Sequence, residues 1–183
     1  MPFLTEGHFT STPNELIMIH GKSAQLINEQ IGHEFSAFYQ YIAVSTWCDS
    51  EALPEMSKYF AQQADEERAH AMKMVKFLSD TNRTVDFPAL DAPKSDFGSV
   101  EGVVQLTYYQ EVKVTDQIKA IYDAAAETND RVTQNFLQWL LEEQVEEVAS
   151  MDTLLKITRR AGNDLFRLED YIAREGHLVV ADA

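Results

Sequence analysis

The sequence predicts an all-α fold: a four-helix bundle with a long crossover between its second and third helices and a short fifth helix after the bundle. Three observations carry that prediction. Glycine and proline number only 7 and 5 among 183 residues, too few for a turn-rich β fold. Apolar residues recur at alternating threes and fours through successive long stretches, the period of an amphipathic helix. Residues 81–99 contain Pro88, Pro93 and Gly98 and cannot be helical throughout, yet a connection of this length suits a crossover running along a bundle. With 45% apolar residues, the chain 1–183 is long enough to bury one good core as a single domain.

In chain order, residues 1–11 read as a loose N-terminal arm. Thr12-Pro13-Asn14-Glu15 reads as a helix start, with Thr12 as cap, Pro13 in the first turn and Glu15 closing a capping box. The first helix is expected over 12–48, with the seam Ile27, Ile31, Glu34, Phe38, Tyr41, Ser45. Residues 49–53 are a turn, and Pro54 opens a second helix over 54–80. Its seam is Met56, Phe60, Gln63, Glu67, His70, Met74, Phe77. After the crossover, Ser99 caps a third helix over 100–127, with the seam Val104, Tyr108, Glu111, Thr115, Ile118, Tyr122. Asn129-Asp130 breaks the chain and starts a fourth helix over 130–160, with the seam Leu137, Leu140, Gln144, Glu147, Met151, Leu154. Gly162-Asn163-Asp164 ends it. A fifth amphipathic helix over 164–175 carries Leu165, Leu168, Tyr171 and Ile172 on one side.

Each of the four long seams is interrupted by a carboxylate near mid-helix. Glu34 lies 17 residues before Glu51 in the first turn, and Glu67 and His70 lie 16 and 19 after it. Glu111 lies 18 residues before Asn129, and Gln144 and Glu147 lie 15 and 18 after it. At about 1.5 Å rise per residue, the members of each antiparallel pair differ by no more than about one turn. If the two hairpins align, the bundle centre holds Glu34, Glu67, His70, Glu111, Gln144 and Glu147. Buried carboxylates repel one another and must be neutralised. A metal does so, and Glu67-Arg68-Ala69-His70 has the Glu-x-x-His spacing of di-iron bundles. Glutamates and histidine without thiolate suit iron, manganese or zinc. Any one of these glutamates is also read as a misjudged helix phase, and His70 alone as a hydrogen-bonded core histidine. Their shared height is what favours the metal site. Tyr41 reads either as a packed tyrosine or as a neighbour of the metals, and Trp47, Trp139 and Cys48 read as packing residues.

The net charge of −15 and pI near 4.6 argue against a nucleic-acid partner and against anionic lipid. A single cysteine, Cys48, leaves no intrachain disulfide and no cysteine-based cluster. No apolar run is long enough to cross a membrane, and Met1 to His8 lacks the pattern of a signal peptide, so a soluble cytoplasmic protein is expected.

Asn28-Glu29-Gln30 through Glu34 and Tyr41, Glu66 to His70, Glu111, Phe136 to Trp139 and Glu143 to Glu147 together resemble the ferritin family, specifically its haem-free bacterial type, over about 27–175. The resemblance implies that Glu34, Glu67 and His70 hold a first iron, with Glu67 bridging. It implies that Glu111 and Glu147 hold a second, with Gln144 adjacent and Tyr41 beside this ferroxidase centre. Glu66, Glu143 and Glu146, with Glu147, match a third iron position of bacterial members. The implied activity is oxidation of Fe(II) by O2 or peroxide and storage of Fe(III) oxo-hydroxide inside a hollow homo-oligomeric shell of 24 subunits. The fifth helix resembles the one that meets its copies at four-fold axes. Haem is not expected: Arg68 stands where haem-binding relatives carry a methionine, and Gln144-Val145-Glu146-Glu147 replaces their Glu-x-x-His on the fourth helix. Gln134 and Leu137 match the acidic pore positions of animal ferritins, and neither is acidic.

Beside a purely structural bundle, three other functions fit parts of the pattern. One is a di-iron oxidase or peroxidase acting on a small substrate, although no rubredoxin-like cysteine segment is present. A second is a mini-ferritin with its iron site between subunits, which a complete ligand set within one chain disfavours. The third is a subunit that stores iron without oxidising it.

Overall fold

The structure, a computed structural model, describes residues 18–175. Five helices follow in order: α1 (Gly21–Ser50), α2 (Pro54–Asp80), α3 (Val100–Glu127), α4 (Arg131–Ala161) and α5 (Leu165–Glu175). No strand occurs among the described residues. α1 packs along α2 and α3 along α4 as two antiparallel hairpins, α1 also lies against α3, and α5 closes one end against α2 and α4. None of the helices is long and apolar enough to cross a membrane.

The helix ends follow from specific caps. The Ser99 Oγ accepts from the Gly102 amide at 3.0 Å. Asp130 accepts from the Thr133 amide at 3.0 Å and from the His20 amide at 2.8 Å. α2 has no side-chain cap of its own at Leu53. Its first amides are instead taken by α5: the Glu169 carboxylate accepts from Glu55 at 2.8 Å and Met56 at 2.9 Å. Gly162 ends α4 at a φ of +59°, where a residue with a Cβ is strained.

The start of α1 differs from the sequence expectation. The capping box at Thr12 to Glu15 lies outside the described residues, but Met18, Ile19 and His20 are not helical, so no helix runs unbroken from 12 to 48. The reason is tertiary. His20 Nδ1 accepts from the Lys22 amide at 3.2 Å and caps α1 itself, while Asp130 takes the His20 amide. Ile19 is buried, and its carbonyl accepts from Arg83. These contacts tie the chain to the ends of α2 and α4 where a helix would otherwise continue.

The seams also drift. The upper half of α1 buries Ala37, Val44 and Cys48 where Phe38 and Ser45 were expected; α3 buries Thr107, Val114 and Ile121 where Tyr108, Thr115 and Tyr122 were expected. A strict seven-residue spacing departs from a straight helix by about 20° per heptad. Leu137 is wholly buried in the core.

The apolar core is divided. One cluster, around Tyr41, Met56, Phe60, Met151 and Leu168, fills the end covered by α5. The other, around Ile27, Ile31, Met74, Ile118, Leu137 and Leu140, fills the opposite end. Trp47 meets Phe97 edge-on at 5.6 Å in the first. The Cys48 thiol is buried there and pushed up to about 12 by desolvation, which keeps it protonated.

The crossover is a strap laid along α1. Asn28 holds the Thr84 carbonyl at 3.0 Å and the Asp86 amide at 2.8 Å, and Gln40 holds the Lys94 carbonyl and amide, each at 2.9 Å. Between these two clasps, Pro88 rests on Gly32: a Cβ at Gly32 would lie 2.5 Å from the Pro88 Cγ. Gly32→Ala gains about 1 kcal/mol of helix propensity but costs about 1–3 kcal/mol in overpacking. The variant should melt at a lower temperature than wild type, whereas Gly21→Ala, with open space at its Cβ, should not. An equal or higher midpoint for Gly32→Ala would show that Pro88 yields without cost.

Candidate metal centre

Between the two apolar clusters lies a polar layer. α1 supplies Glu34, α2 supplies Glu67 and His70, α3 supplies Glu111, and α4 supplies Gln144 and Glu147; all six are buried. The structure thus brings both hairpins to one height, which counting along the sequence left open. Glu34, Glu67 and His70 bring one ligand atom each within 4.8 Å of one another, and so do Glu67, Glu111 and Glu147. Glu67 belongs to both triads and sits between them.

The donor atoms are oriented by neighbours. Gln30, one turn before Glu34, donates Nε2 to Glu34 Oε1 at 2.8 Å. The Tyr41 hydroxyl donates to Glu111 Oε1, and Tyr41 itself stacks on Phe60 with ring centroids 5.9 Å apart. Gln144 donates Nε2 to Glu147 Oε2, and its carbonyl lies 2.7 Å from the Thr115 hydroxyl. Gln144 therefore spends both ends of its amide on orienting neighbours. The atoms facing inward are left without partners: Glu34 Oε2, Glu67 Oε2, Glu111 Oε2 and His70 Nδ1 make no hydrogen bond. Buried polar atoms are seldom orphaned. Four of them converging from four carboxyl or imidazole groups is the arrangement a pair of divalent cations would satisfy.

His70 uses its two nitrogens differently. Nδ1 faces the centre, 3.8 Å from Glu67 Oε2 and 4.0 Å from Glu34 Oε2. Nε2 lies 2.7 Å from Glu143 Oε2 on α4. Trp139 meets the imidazole edge-on at 5.5 Å, and the Lys73 ammonium sits 4.1 Å above the Trp139 ring. Of the residues matched to a third iron position, Glu143 thus reaches the centre, and His70, Glu143 and Glu147 form a third ligand triad. Glu66 is half-buried and accepts from Gln63, while Glu146 is exposed; neither joins a triad among the described residues.

Electrostatics follow from burial. Desolvation holds Glu67, Glu111 and Glu147 above the usual carboxylate range, and repulsion among the clustered carboxylates adds to it; in Glu111 hydrogen bonds from Tyr41 and Gln144 partly oppose the rise. Desolvation pushes Glu66 up to about 7. Burial alone would lower His70, but the Glu143 hydrogen bond and the charges of Glu147 and Glu34 raise it to about 9. Glu143 is lowered, first by that same hydrogen bond from His70. Burial and Glu111 raise the Tyr41 phenol well above its ordinary value, so it remains a donor.

Three features of the site were not read from the sequence. Gln30 had a signal, a polar residue one turn from Glu34 on the buried face. The Thr115 link to Gln144 and the Glu143 link to His70 had none, because each depends on how two helices are rotated.

The chain matches the family model described as a ferritin-like domain over residues 24–161. It is 43% identical to Ferritin BfrB of Mycolicibacterium smegmatis over 157 residues, covering 86% of this chain and 87% of the relative. It is 34% identical to the bacterial non-heme ferritin of Staphylococcus aureus over 147 residues, covering 80% and 89%. Among solved structures, the open-pore ferritin of Archaeoglobus fulgidus superposes with a TM-score of 0.82 at 33% identity, covering 85% of this chain and 97% of that one.

The raised carboxyls set a pH dependence. Folded Glu67, Glu111 and Glu147 keep protons that the unfolded chain gives up above its ordinary value of 4.5. Their contribution to stability therefore falls as pH rises past 4.5, as burial forces charges together. A divalent cation removes that penalty by displacing the protons. Zn(II) should raise the thermal midpoint by more at about pH 8 than at about pH 5, and its binding in weak buffer should release protons. A gain independent of pH would mean that the cation binds elsewhere.

Proposed function

The chain belongs to the ferritin-like family, and from that membership and the site geometry we propose that it is a haem-free iron-storage protein with ferroxidase activity. The observation that carries this reading is the pair of ligand triads sharing Glu67, lined by four orphaned donor atoms at the centre of one subunit. Fe(II) is the substrate. One ion is held by Glu34, Glu67 and His70, the other by Glu67, Glu111 and Glu147. Two-metal sites place their ions about 3.5–4 Å apart, a span that one bridging carboxylate suits.

Each Fe(II) gives up one electron. Together they reduce O2, with two protons, to hydrogen peroxide and leave two Fe(III); with peroxide as oxidant the same two electrons and two protons yield water. Carboxylates favour the harder, more highly charged Fe(III), so this donor set drives oxidation. Tyr41 holds Glu111, Gln30 holds Glu34, and Gln144 holds Glu147, which keeps the ligand oxygens turned inward. Gln144 puts a neutral amide beside the second position where a further carboxylate would hold the ion more tightly, which suits a product that must leave for storage. Glu66, Glu143 and Glu146, with Glu147, are read as a third iron position, and of these Glu143 and Glu147 form a ligand triad with His70.

From its membership of the family we take the chain to form a homo-oligomeric shell of 24 subunits in the cytoplasm, with Fe(III) oxo-hydroxide inside. Arg68, exposed and 3.6 Å from Asp65, offers no thioether for haem.

Light-scattering mass before and after aerobic Fe(II) addition tests the storage reading. A shell-sized particle that keeps many Fe(III) per chain in solution is expected. A small species that oxidises two Fe(II) per chain and precipitates the rest would overturn storage and leave a di-iron oxidase. Glu34→Ala and His70→Ala should slow Fe(II) oxidation by orders of magnitude while the shell mass is unchanged. Wild-type rates in either variant would remove those residues from the site.

A further inference from the structure

We propose that Glu143 is the positioning residue of His70: it fixes the tautomer and the ring angle that let Nδ1 serve the first cation position. This rests on the metal-site reading above and goes beyond it, since it gives Glu143 a task distinct from ligating a third cation.

A neutral imidazole carries one hydrogen, and only the bare nitrogen can bind a metal. In His70, Nε2 lies 2.7 Å from Glu143 Oε2, so Nε2 carries the hydrogen and donates it. When a cation displaces the remaining hydrogen, the lone pair falls on Nδ1, the nitrogen that is buried without a partner and that faces Glu34 and Glu67. The other tautomer would turn an N–H toward the cation and leave Nε2 and the Glu143 carboxylate facing each other as two acceptors.

Glu143 is placed to hold the ring from outside. It lies on α4 one turn before Glu147, so it reaches His70 across the helix pair from the opposite side to Glu34. It is half-buried at the mouth of a groove of about 380 Å³, lined also by Lys73, Phe77, Phe136 and Trp139. Trp139, edge-on to the imidazole, closes one side of the ring and leaves the Nε2–H direction to Glu143. Groups that hold a metal-ligating histidine in this way are commonly worth about 10–100-fold in metal affinity.

The test is anaerobic Co(II) titration of the assembled, metal-free full chain, read by calorimetry and by the visible absorption of bound Co(II). Glu143→Ala should weaken the His70 position by about 10–100-fold and shift its spectrum, leaving the position formed by Glu111 and Glu147 unchanged. Glu143→Gln, whose amide oxygen accepts the same hydrogen bond without the charge, should recover most of that affinity. Glu142→Ala, at an exposed position of α4 outside every ligand triad, should leave it at the wild-type value. Equal affinity at the His70 position in wild type, Glu143→Ala and Glu142→Ala would overturn the proposal and leave Glu143 as a third-position ligand only. A Glu143→Gln variant as weak as Glu143→Ala would overturn it in favour of a purely electrostatic effect. Failure of the wild-type chain to bind Co(II) in the buried layer would instead overturn the site reading itself. Shell mass by light scattering distinguishes all of these from misassembly.

Discussion

Glu67 at the centre of the bundle sets the terms for everything around it. A carboxylate removed from water costs several kcal/mol unless it is neutralised, and here Glu34, Glu111 and Glu147 lie close by. Burial favours the neutral form of Glu67, Glu111 and Glu147, and repulsion among the clustered carboxylates pushes the same way. With cations, the same groups become a charge-balanced ligand set. The fold thus buries carboxylates that could hold cations in the position where an ordinary bundle would carry leucine. The two apolar clusters lie above and below the layer, so apolar packing is supplied by the ends and the buried polar groups sit in the middle.

Keeping that layer in register is the task of contacts distant in sequence. The strap between α2 and α3 is clasped by Asn28 and Gln40 and closely packed at Gly32, which fixes where α3 begins relative to α1. Asp130 ties the start of α4 to the start of α1, and Glu169 of α5 caps α2. The strap contacts fasten the crossover along α1, and the Asp130 and Glu169 contacts fasten helix ends to other elements. A sliding motion along the bundle would misalign Glu111 and Glu147 against Glu34 and Glu67 by about 1.5 Å per residue, enough to separate the triads.

The ligands and the groups that orient them differ in how they are written in the sequence. Glu34, Glu67, His70, Glu111 and Glu147 announce themselves as polar breaks in apolar stripes, and the structure gathers those five residues in one layer. Gln144 and Tyr41 are in the layer too, but what they do there, one holding Glu147 and the other Glu111, comes from contacts between helices. Glu66, Glu143 and Glu146 look alike in the sequence. The structure separates them: Glu143 meets His70, Glu66 meets Gln63, and Glu146 faces outward.

The sequence by itself determined the helices, their order, the long crossover and the polar interruptions, because hydrophobic period and breaker residues act locally. It located the α3 cap at Ser99 and the stop at Gly162 for the same reason. It misplaced the start of α1, since Asp130 and Arg83, far along the chain, decide where that helix begins. It also drifted at Phe38 and Tyr108, where a small error in helix phase accumulates. Only the tertiary structure decided that the two hairpins share one height and that His70 turns Nδ1 inward and Nε2 toward Glu143. Relative height and rotation are set by packing between elements, and that information is spread over residues too far apart for any local pattern to hold it.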